Sequence, residues 1–157
     1  MQIRFAENKD IAGILRLLQQ IGKLHHEGRP DLFREKAQKY GPSQILALLQ
    51  DSKTPVFVAA REDQVLGYCF CKVKDYTLDP VMEAHLSLHI DDLCVDEQHR
   101  GKGISKALYM EACRYAKMRR CYNVTLNVWS FNEQAVKFYE SLGLMPQKLG
   151  LESILED

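Results

Sequence analysis

The sequence predicts a single α+β domain in which helices flank a central mixed sheet that is mostly antiparallel. The chain has 157 residues, 46% of them hydrophobic, which is enough for the core of one domain. Helical patterns fill most of the first fifty residues, and three apolar strand patterns follow them. A β–α–β–α section completes the chain, and this order of elements is typical of a mixed α and β architecture.

The first pattern is a short strand, because Ile3 and Phe5 alternate with polar residues. A stripe of apolar residues at i, i+3, i+4 and i+7 then predicts an amphipathic helix over about residues 8–21. Gly22 is expected to end this helix. Residues 23–31 are polar and contain glycine and proline, so they predict a loop.

Two more helices are expected before the first long strand. One is predicted near residues 31–39, and Gly41-Pro42 breaks it. Ser43 is expected to cap the next helix, which runs to about Asp51. Apolar runs then predict two strands joined by a polar turn at residues 61–64, and a longer third strand. These strands span residues 56–60, 65–73 and about 84–95.

The last third of the chain returns to helical patterns. A helix is predicted from Gly101 to about Met118, and an alternating strand follows over residues 124–128. Another apolar stripe predicts a helix that Gly143 ends. Residues 147–155 are a candidate last strand.

The polarity of the long strand changes phase near its end. Leu88 and Ile90 share one face, whereas Leu93 and Val95 have the opposite parity. A strand with one buried face needs an extra residue to restore the phase, and a β-bulge near Asp91-Asp92 would supply it. The alternative is a central strand whose second face is also buried, and the pattern alone does not choose between the two.

The stretch Gln98-His99-Arg100-Gly101-Lys102-Gly103-Ile104 follows this strand, and a helical pattern starts inside it. Two glycines two residues apart let the backbone approach a bulky ligand closely. The N-terminus of the following helix offers unpaired N–H groups and a partial positive charge, which suit phosphate. The motif therefore predicts a phosphate-bearing ligand.

The composition excludes several classes of protein. Lys plus Arg equals Asp plus Glu at 21 each, which argues against a general nucleic-acid binder. No apolar run reaches membrane-spanning length, and the first residues lack the apolar core of a signal peptide. We therefore expect a cytoplasmic protein with no nucleic-acid or membrane partner.

The five cysteines are an odd number and show no regular framework. The pair in Cys69-Phe70-Cys71 lacks a second Cys/His pair at a spacing suited to a metal. We expect free thiols that behave as small buried hydrophobes, and no metal.

Two motifs then give the sequence a family resemblance. The first is Gln98-x-x-Gly101-x-Gly103, and the second is Asn132-x-x-Ala135-x-x-Phe138-Tyr139-x-x-x-Gly143. Together with the order of elements over nearly the whole chain, they make the sequence similar to the GNAT superfamily of N-acetyltransferases, which use acetyl-CoA. The predicted bulge falls where that family has its own. A dinucleotide fingerprint is disfavoured, because Lys106 stands where its third glycine would be.

The resemblance implies which residues bind acetyl-CoA. The backbone at the end of the long strand would contact the acetyl carbonyl and the pantetheine, and main-chain N–H groups after it would hold the pyrophosphate. Asn132 would contact the pantetheine side. Ser105 departs from many relatives, which carry a glycine there. The implied cofactor-binding residues are Leu93, Cys94, Val95, Arg100, Gly101, Lys102, Gly103, Ile104, Ser105, Lys106, Asn132 and Tyr139.

Acetyl transfer also needs a base, because a primary amine with a pKa of about 10.4 is protonated at pH 7. Asp91 is the preferred candidate, since it continues the polar face of His89 and several relatives have an acidic residue at the matching place. His89 is the second candidate. Alternatively, Asp91 and Asp92 bind backbone around the bulge, or one of them attracts the substrate ammonium.

Tyr139 is the candidate acid that protonates the departing thiolate. Its position on an apolar helical stripe is also typical of a core residue, and a buried tyrosine still needs a partner for its hydroxyl. An unpaired N–H near Val95 would stabilise the oxyanion of the tetrahedral intermediate.

The resemblance further implies that the segment after the first helix lines the acceptor site. There Glu27 would pair with an amine and Arg29 with a carboxylate. The sequence does not decide whether Arg29 has this role or a structural one at a helix start. His89 is a further candidate for acceptor contact, and Trp129 is either a core anchor or a wall of the cleft.

The resemblance implies an enzyme that transfers the acetyl group of acetyl-CoA to a primary amine of a small molecule by direct attack. The alternative acceptors are a protein N-terminus or a lysine. The alternative class is a CoA-binding sensor module that has lost catalysis. By analogy with many relatives we expect a homodimer.

Overall fold

The computed structural model describes residues 1–156. Backbone proximity separates the described chain into two units, residues 1–127 and the residues from 128 on, and each unit is considered by itself. That the two form one domain stays a prediction.

The first unit contains three α-helices, two 3-10 turns and all five strands. The helices are α1 (Ile11–Gly28), α2 (Pro42–Gln50) and α3 (Ile104–Met118), with 3-10 turns at Asn8–Asp10 and Glu97–His99. The strands are β1 (Gln2–Phe5), β2 (Val56–Arg61), β3 (Gln64–Asp75), β4 (Leu86–Val95) and β5 (Asn123–Leu126). The second unit contains α4 (Glu133–Ser141).

The strands form one sheet in chain order. Neighbouring strands are antiparallel except β4 and β5, which are parallel because α3 connects them. α1 and α2 pack on one face around Leu17, Ile45 and Tyr68, and α3 packs on the other around Leu88 and Leu108. The prediction of a mixed, mostly antiparallel sheet flanked by helices is confirmed.

The predicted bulge is present in β4. Asp92 pairs with Phe70, and Ile90 pairs with Cys71, so Asp91 is an extra residue without a partner on β3. This insertion returns the later apolar residues to the core beneath α3 that the earlier ones occupy. The residues that share this core are Leu88, Ile90, Leu93 and Val95. The bulge, and not a second buried face, therefore explains the phase change.

The predicted end of α1 is wrong, because the helix continues through Gly22 to Gly28. Most of the expected loop is therefore helical. A Cβ built on Gly22 would lie 2.5 Å from the carbonyl oxygen of Ala37, where the chain returns across the helix. This glycine permits a close backbone approach and does not end the helix.

The helix predicted over residues 31–39 is also wrong, since these residues form turns and irregular backbone. Local contacts hold the segment against α1. The ring of His26 is 2.7 Å from the carbonyl oxygen of Phe33, and the amide of Gln19 is 3.4 Å from that of Gln38. The segment is therefore ordered by contacts with α1 and not by a helical stripe.

Several element ends differ from the sequence prediction. Gly41 and not Ser43 is the cap of α2, and its N–H donates to the side chain of Gln44 at 2.8 Å. α3 begins at Ile104 and β5 ends at Leu126, so both are shorter than predicted. The strand predicted over residues 147–155 is wrong, because these residues have no regular secondary structure.

None of the helices within residues 1–156 combines the length and the apolar character that crossing a membrane requires.

Candidate active site

The pairing between β4 and β5 stops in the middle of β4. It covers Ser87 to Ile90 on β4, and the last pair is Ile90 with Leu126. β4 itself continues to Val95. Among the described residues, the final half of β4 therefore has a paired strand on the β3 side only.

The predicted glycine turn follows the end of β4. Gly101 and Gly103 both have left-handed backbone, with φ of 75° and 76°. Gly103 is the residue before α3, and no side chain caps the helix there. No atom lies within 4 Å of a Cβ built on either glycine, so the space in front of the turn is open. Exposed main-chain N–H groups beside open space fit a pyrophosphate.

An ion pair between a half-exposed arginine and a buried carboxylate holds the start of this turn. Arg16 on α1 lies 2.7 Å from a carboxylate oxygen of Asp96, which is 4% exposed, and also donates to the carbonyl of Val65. The N–H of Gln98 donates to the other oxygen of Asp96 at 2.9 Å. Burial opposes ionisation of Asp96, but the bonds from Gln98 and Arg16 outweigh it and lower the pKa.

Gln20 is a second residue of α1 that supports the site. Its side-chain amide donates to the carbonyl of Val95 at 2.9 Å and accepts from the N–H of Glu97 at 3.1 Å. Sequence reasoning missed Arg16 and Gln20. Their i, i+4 spacing on the polar side of α1 was the available signal, but nothing in that spacing names Asp96 or Val95 as partners.

Asp91, the inserted residue of the bulge, is held by two neighbours. The ammonium of Lys39 lies 2.8 Å from its carboxylate, and the hydroxyl of Tyr40 donates to the same oxygen at 2.9 Å. Desolvation would raise the pKa of Asp91, but the bonds from Lys39 and Tyr40 outweigh it and lower the pKa. Desolvation and the Asp91 bond raise the pKa of Tyr40 to about 12.

Asp92 has the opposite electrostatic environment. The hydroxyl of the fully buried Tyr68 donates to its carboxylate at 2.8 Å. Burial nevertheless dominates and raises the pKa of Asp92 to about 6. Asp92 lies opposite Phe70 on β3, and His89 lies opposite Lys72. Phe70 and Lys72 are two residues apart on one strand, so Asp92 and His89 lie on the same face of the sheet. The insertion at the bulge thus makes Asp92, and not Asp91, the continuation of that polar face.

The other predicted site residues of the first unit have local partners. A ring nitrogen of His89 lies 2.9 Å from the hydroxyl of Thr125 on β5. Arg29 makes a two-pronged ion pair with Asp31, at 2.9 and 2.8 Å. Glu27 lies 3.8 Å from Lys23, and both side chains are mostly exposed.

At the strand end, Cys94 and Val95 are buried and Leu93 is partly buried. The thiol of Cys94 is 3.7 Å from the carbonyl of Leu17 in the core. The side chains of Cys94 and Val95 therefore lie in the core, and a ligand could contact these residues only through main-chain groups.

In the second unit, Asn132 is the cap of α4 and its side-chain oxygen accepts the N–H of Ala135 at 3.3 Å. Tyr139 is half-buried on the predicted stripe, and Gly143 follows the helix with φ of 88°. Trp129 is 42% exposed and stacks on Phe131, so its interpretation as a core anchor is wrong.

All five cysteines are free thiols, as predicted, although Cys113 and Cys121 are only partly buried. Within residues 1–156, no group of three or more His, Cys, Asp and Glu side chains is arranged to hold a metal ion.

The acetyltransferase (GNAT) family model matches residues 18–144. This match covers most of the chain, including the bulge, the glycine turn and α4. The chain belongs to the GNAT family of acetyltransferases, and the predicted family is confirmed. Members of this family use acetyl-CoA.

Individual relatives agree with this family. A tetramutant of the BH1408 protein of Bacillus halodurans has a similar structure, with a TM-score of 0.93, 34% identity, and coverage of 99% of this chain and 100% of that one. The glucosamine 6-phosphate N-acetyltransferase of Trypanosoma brucei brucei is 42% identical over 55 residues, which are 35% of each chain. The match thus spans about a third of that relative's length. The thialysine N-epsilon-acetyltransferase of Mus musculus is 23% identical over 90% of this chain and 82% of its own.

Proposed function

We propose that this chain is an acetyl-CoA-dependent N-acetyltransferase that acetylates a primary amine of a small molecule by direct attack on the thioester. The observation that carries the proposal is the end of β4. Its pairing with β5 stops at Ile90, and the left-handed Gly101 and Gly103 open α3 shortly afterwards. Names of two relatives, for glucosamine 6-phosphate and thialysine, support a small-molecule amine.

The main chain is proposed to do most of the binding. Acetyl-CoA, when bound, supplies the acetyl group as an activated thioester. The backbone of Leu93, Cys94 and Val95 would orient the acetyl carbonyl and pantetheine along the final half of β4. The N–H groups of the turn and the first turn of α3 would hold the pyrophosphate. That second set comprises Arg100, Gly101, Lys102, Gly103, Ile104, Ser105 and Lys106.

We assign the general base to Asp92 in preference to Asp91. A base works best when its pKa lies near the operating pH, and burial raises the pKa of Asp92 to about 6. Asp91 has a lowered pKa and is already bound by Lys39 and Tyr40. In this assignment Asp91 attracts the acceptor ammonium and Asp92 accepts its proton, directly or through a water molecule.

Tyr139 is proposed as the acid on the basis of the second family motif, and Asn132 as a pantetheine contact. Because the side-chain oxygen of Asn132 caps α4, its NH₂ group would make that contact. Glu27, Arg29, His89 and Trp129 remain proposed acceptor contacts. Arg29 would have to release Asp31 to bind a substrate carboxylate. A cytoplasmic location and a homodimer stay predictions from the sequence.

The test is a thiol-release assay with acetyl-CoA and a panel of amino acids, amino sugars, polyamines and peptides with a free amine. We expect saturable thiol release with at least one small amine, and a large loss of turnover in Tyr139→Phe with acetyl-CoA binding retained. Faster release with peptides would favour a protein acceptor. Binding of acetyl-CoA without turnover of any amine would favour a sensor module.

A further inference from the structure

We infer that Lys39 is itself an acetyl acceptor, so that the protein transfers an acetyl group from acetyl-CoA to the ε-amine of Lys39 within the same molecule. The inference rests on the proposed function, because it uses the same thioester and the same base. Lys39 would then be a self-modification site that lies at the acceptor position of the enzyme.

The geometry that supports this inference is the contact between Lys39 and the bulge. The ammonium of Lys39 is 2.8 Å from the carboxylate of Asp91, the residue that the bulge inserts, and Asp92 is the next residue. The ammonium also lies 5.6 Å from the centre of the Tyr40 ring, close enough for a cation–π contact. A primary amine thus already occupies the place where the carboxylates would receive the ammonium of an acceptor.

Two other lysines have longer ion pairs. The ion pairs of Lys9 with Glu7 and of Lys23 with Glu27 are both 3.8 Å long and lie at α1 or the turn before it. The side chain of Lys39 is 43% exposed, so it is accessible to a ligand as well as tethered. Holding a nucleophile near the reacting carbon makes an intramolecular step much faster than a bimolecular one.

Asp91 and His25 both interact electrostatically with Lys39. Asp91 binds the ammonium, and in this proposal Asp92, the next residue of β4, accepts its proton. His25 at the end of α1 is within electrostatic reach, because burial first and then the charge of Lys39 lower the pKa of His25. An uncharged Lys39 would remove its repulsion of a protonated His25.

The transfer balances without another reactant. The Lys39 ammonium gives one proton to Asp92, and the lone pair on Nζ forms a C–N bond with the thioester carbonyl carbon. The C–S bond breaks, and the leaving thiolate gains a proton from the acid. The nitrogen loses a second proton, which returns to that acid. One ammonium and one acetyl-CoA therefore give one amide, one CoA thiol and one proton, which passes from Asp92 to water.

Acetylation would change the acceptor site. It removes the charge that now neutralises Asp91, so a substrate ammonium no longer competes with a tethered one. The modified protein should therefore have a lower KM for cationic acceptors than the unmodified protein.

The experiment is incubation of the purified protein with ¹³C-labelled acetyl-CoA and no amine, followed by mass spectrometry of its peptides over time. Lys36, three residues away in the same segment, is the internal control for chemical acetylation. We expect Lys39 to be labelled at least ten times faster than Lys36. The first-order rate constant, measured as the fraction of Lys39 labelled per unit time, should not depend on protein concentration. Asp91→Asn, verified as folded by thermal melting, should reduce the Lys39 rate to that of Lys36.

Equal labelling of Lys39 and Lys36 would overturn the inference. So would a rate constant for Lys39 labelling that rises in proportion to protein concentration, or one that is unchanged in Asp91→Asn. If the protein turns over added amines but does not label Lys39, this inference alone fails. If calorimetry detects no binding of acetyl-CoA, the proposed function fails together with it.

Discussion

The hydroxyl of Tyr68 donates a 2.8 Å hydrogen bond to the carboxylate of Asp92, one residue beyond the bulge. Asp91, its neighbour in sequence, instead contacts Lys39 and Tyr40. Burial raises the pKa of Asp92 to about 6, whereas hydrogen bonds to Asp91 overcome desolvation and lower its pKa. Two adjacent carboxyl groups with separated pKa values suit two different roles in one reaction.

The first prediction concerns catalysis by Asp92. Asp92→Asn should lower kcat by about 10²-fold or more, because it removes the proton acceptor and keeps the shape of the side chain. In the unmodified protein, kcat/KM should fall as the pH drops through about 6, where Asp92 becomes protonated. Thiol release measured from pH 5 to 8 tests both statements.

Asp91→Asn is the matched control for this variant. It should mainly raise KM for the amine and leave the pH profile in place. A pH profile that loses its acid limb in Asp91→Asn but keeps it in Asp92→Asn would reverse the two assignments.

The second prediction concerns stability. The pKa of Asp92 in the folded protein is above its ordinary value of 3.8, so the folded state holds this proton more tightly than the unfolded chain. The resulting stabilisation is complete below about pH 4 and is lost as the pH rises through 6. Asp92→Asn keeps an acceptor for Tyr68 and removes the charge, so it should raise the free energy of unfolding at pH 7.5 by about 1–2 kcal/mol.

Urea denaturation at pH 4 and pH 7.5 measures this effect. The difference between Asp92→Asn and the unmodified protein should shrink at the lower pH. If Asp92→Asn gained less stability over the unmodified protein at pH 7.5 than at pH 4, Asp92 would not be desolvated.

The third prediction concerns the glycine turn. Gly101→Ala should weaken acetyl-CoA binding by about tenfold, because a left-handed backbone costs a non-glycine residue about 1–2 kcal/mol and the turn would relax. Calorimetric titration gives the affinity. Gly143→Ala introduces a side chain at a similar φ outside the turn and is the strain-matched control. Equal losses of affinity in the two variants would argue against a ligand at the turn.

The fourth prediction concerns the close contact between α1 and the returning chain. Gly22→Ala should lower stability by about 1–3 kcal/mol, since its Cβ would lie 2.5 Å from the carbonyl oxygen of Ala37. Gly41→Ala is the control, with its nearest contact at 3.8 Å, and should be near neutral in thermal melting. Similar melting temperatures for the two variants would contradict this account of Gly22.

The sequence was sufficient to predict features that depend on local pattern. The change of phase after Ile90 predicted the bulge. The helical pattern after Gly101 predicted α3, which buries Leu108 and Ala112 in the core. The glycine spacing at Gly101 and Gly103 predicted a turn that opens a helix. Each of these follows from a periodicity or a backbone preference that a few neighbouring residues determine.

Features that depend on distant contacts could not be predicted in this way. A glycine inside a helical pattern suits either a helix end or a close approach, and only the position of Ala37 decides the case of Gly22. The pairs Arg16–Asp96 and Lys39–Asp91 join residues far apart in the chain. Because the bulge shifts the phase by one residue, it also exchanged the faces expected for Asp91 and Asp92.

The most direct test of the central claim is a calorimetric titration of the purified protein with acetyl-CoA. The account predicts saturable binding of one acetyl-CoA per chain, weakened in Gly101→Ala. The absence of any heat of binding at saturating acetyl-CoA, with the protein verified as folded, would contradict it.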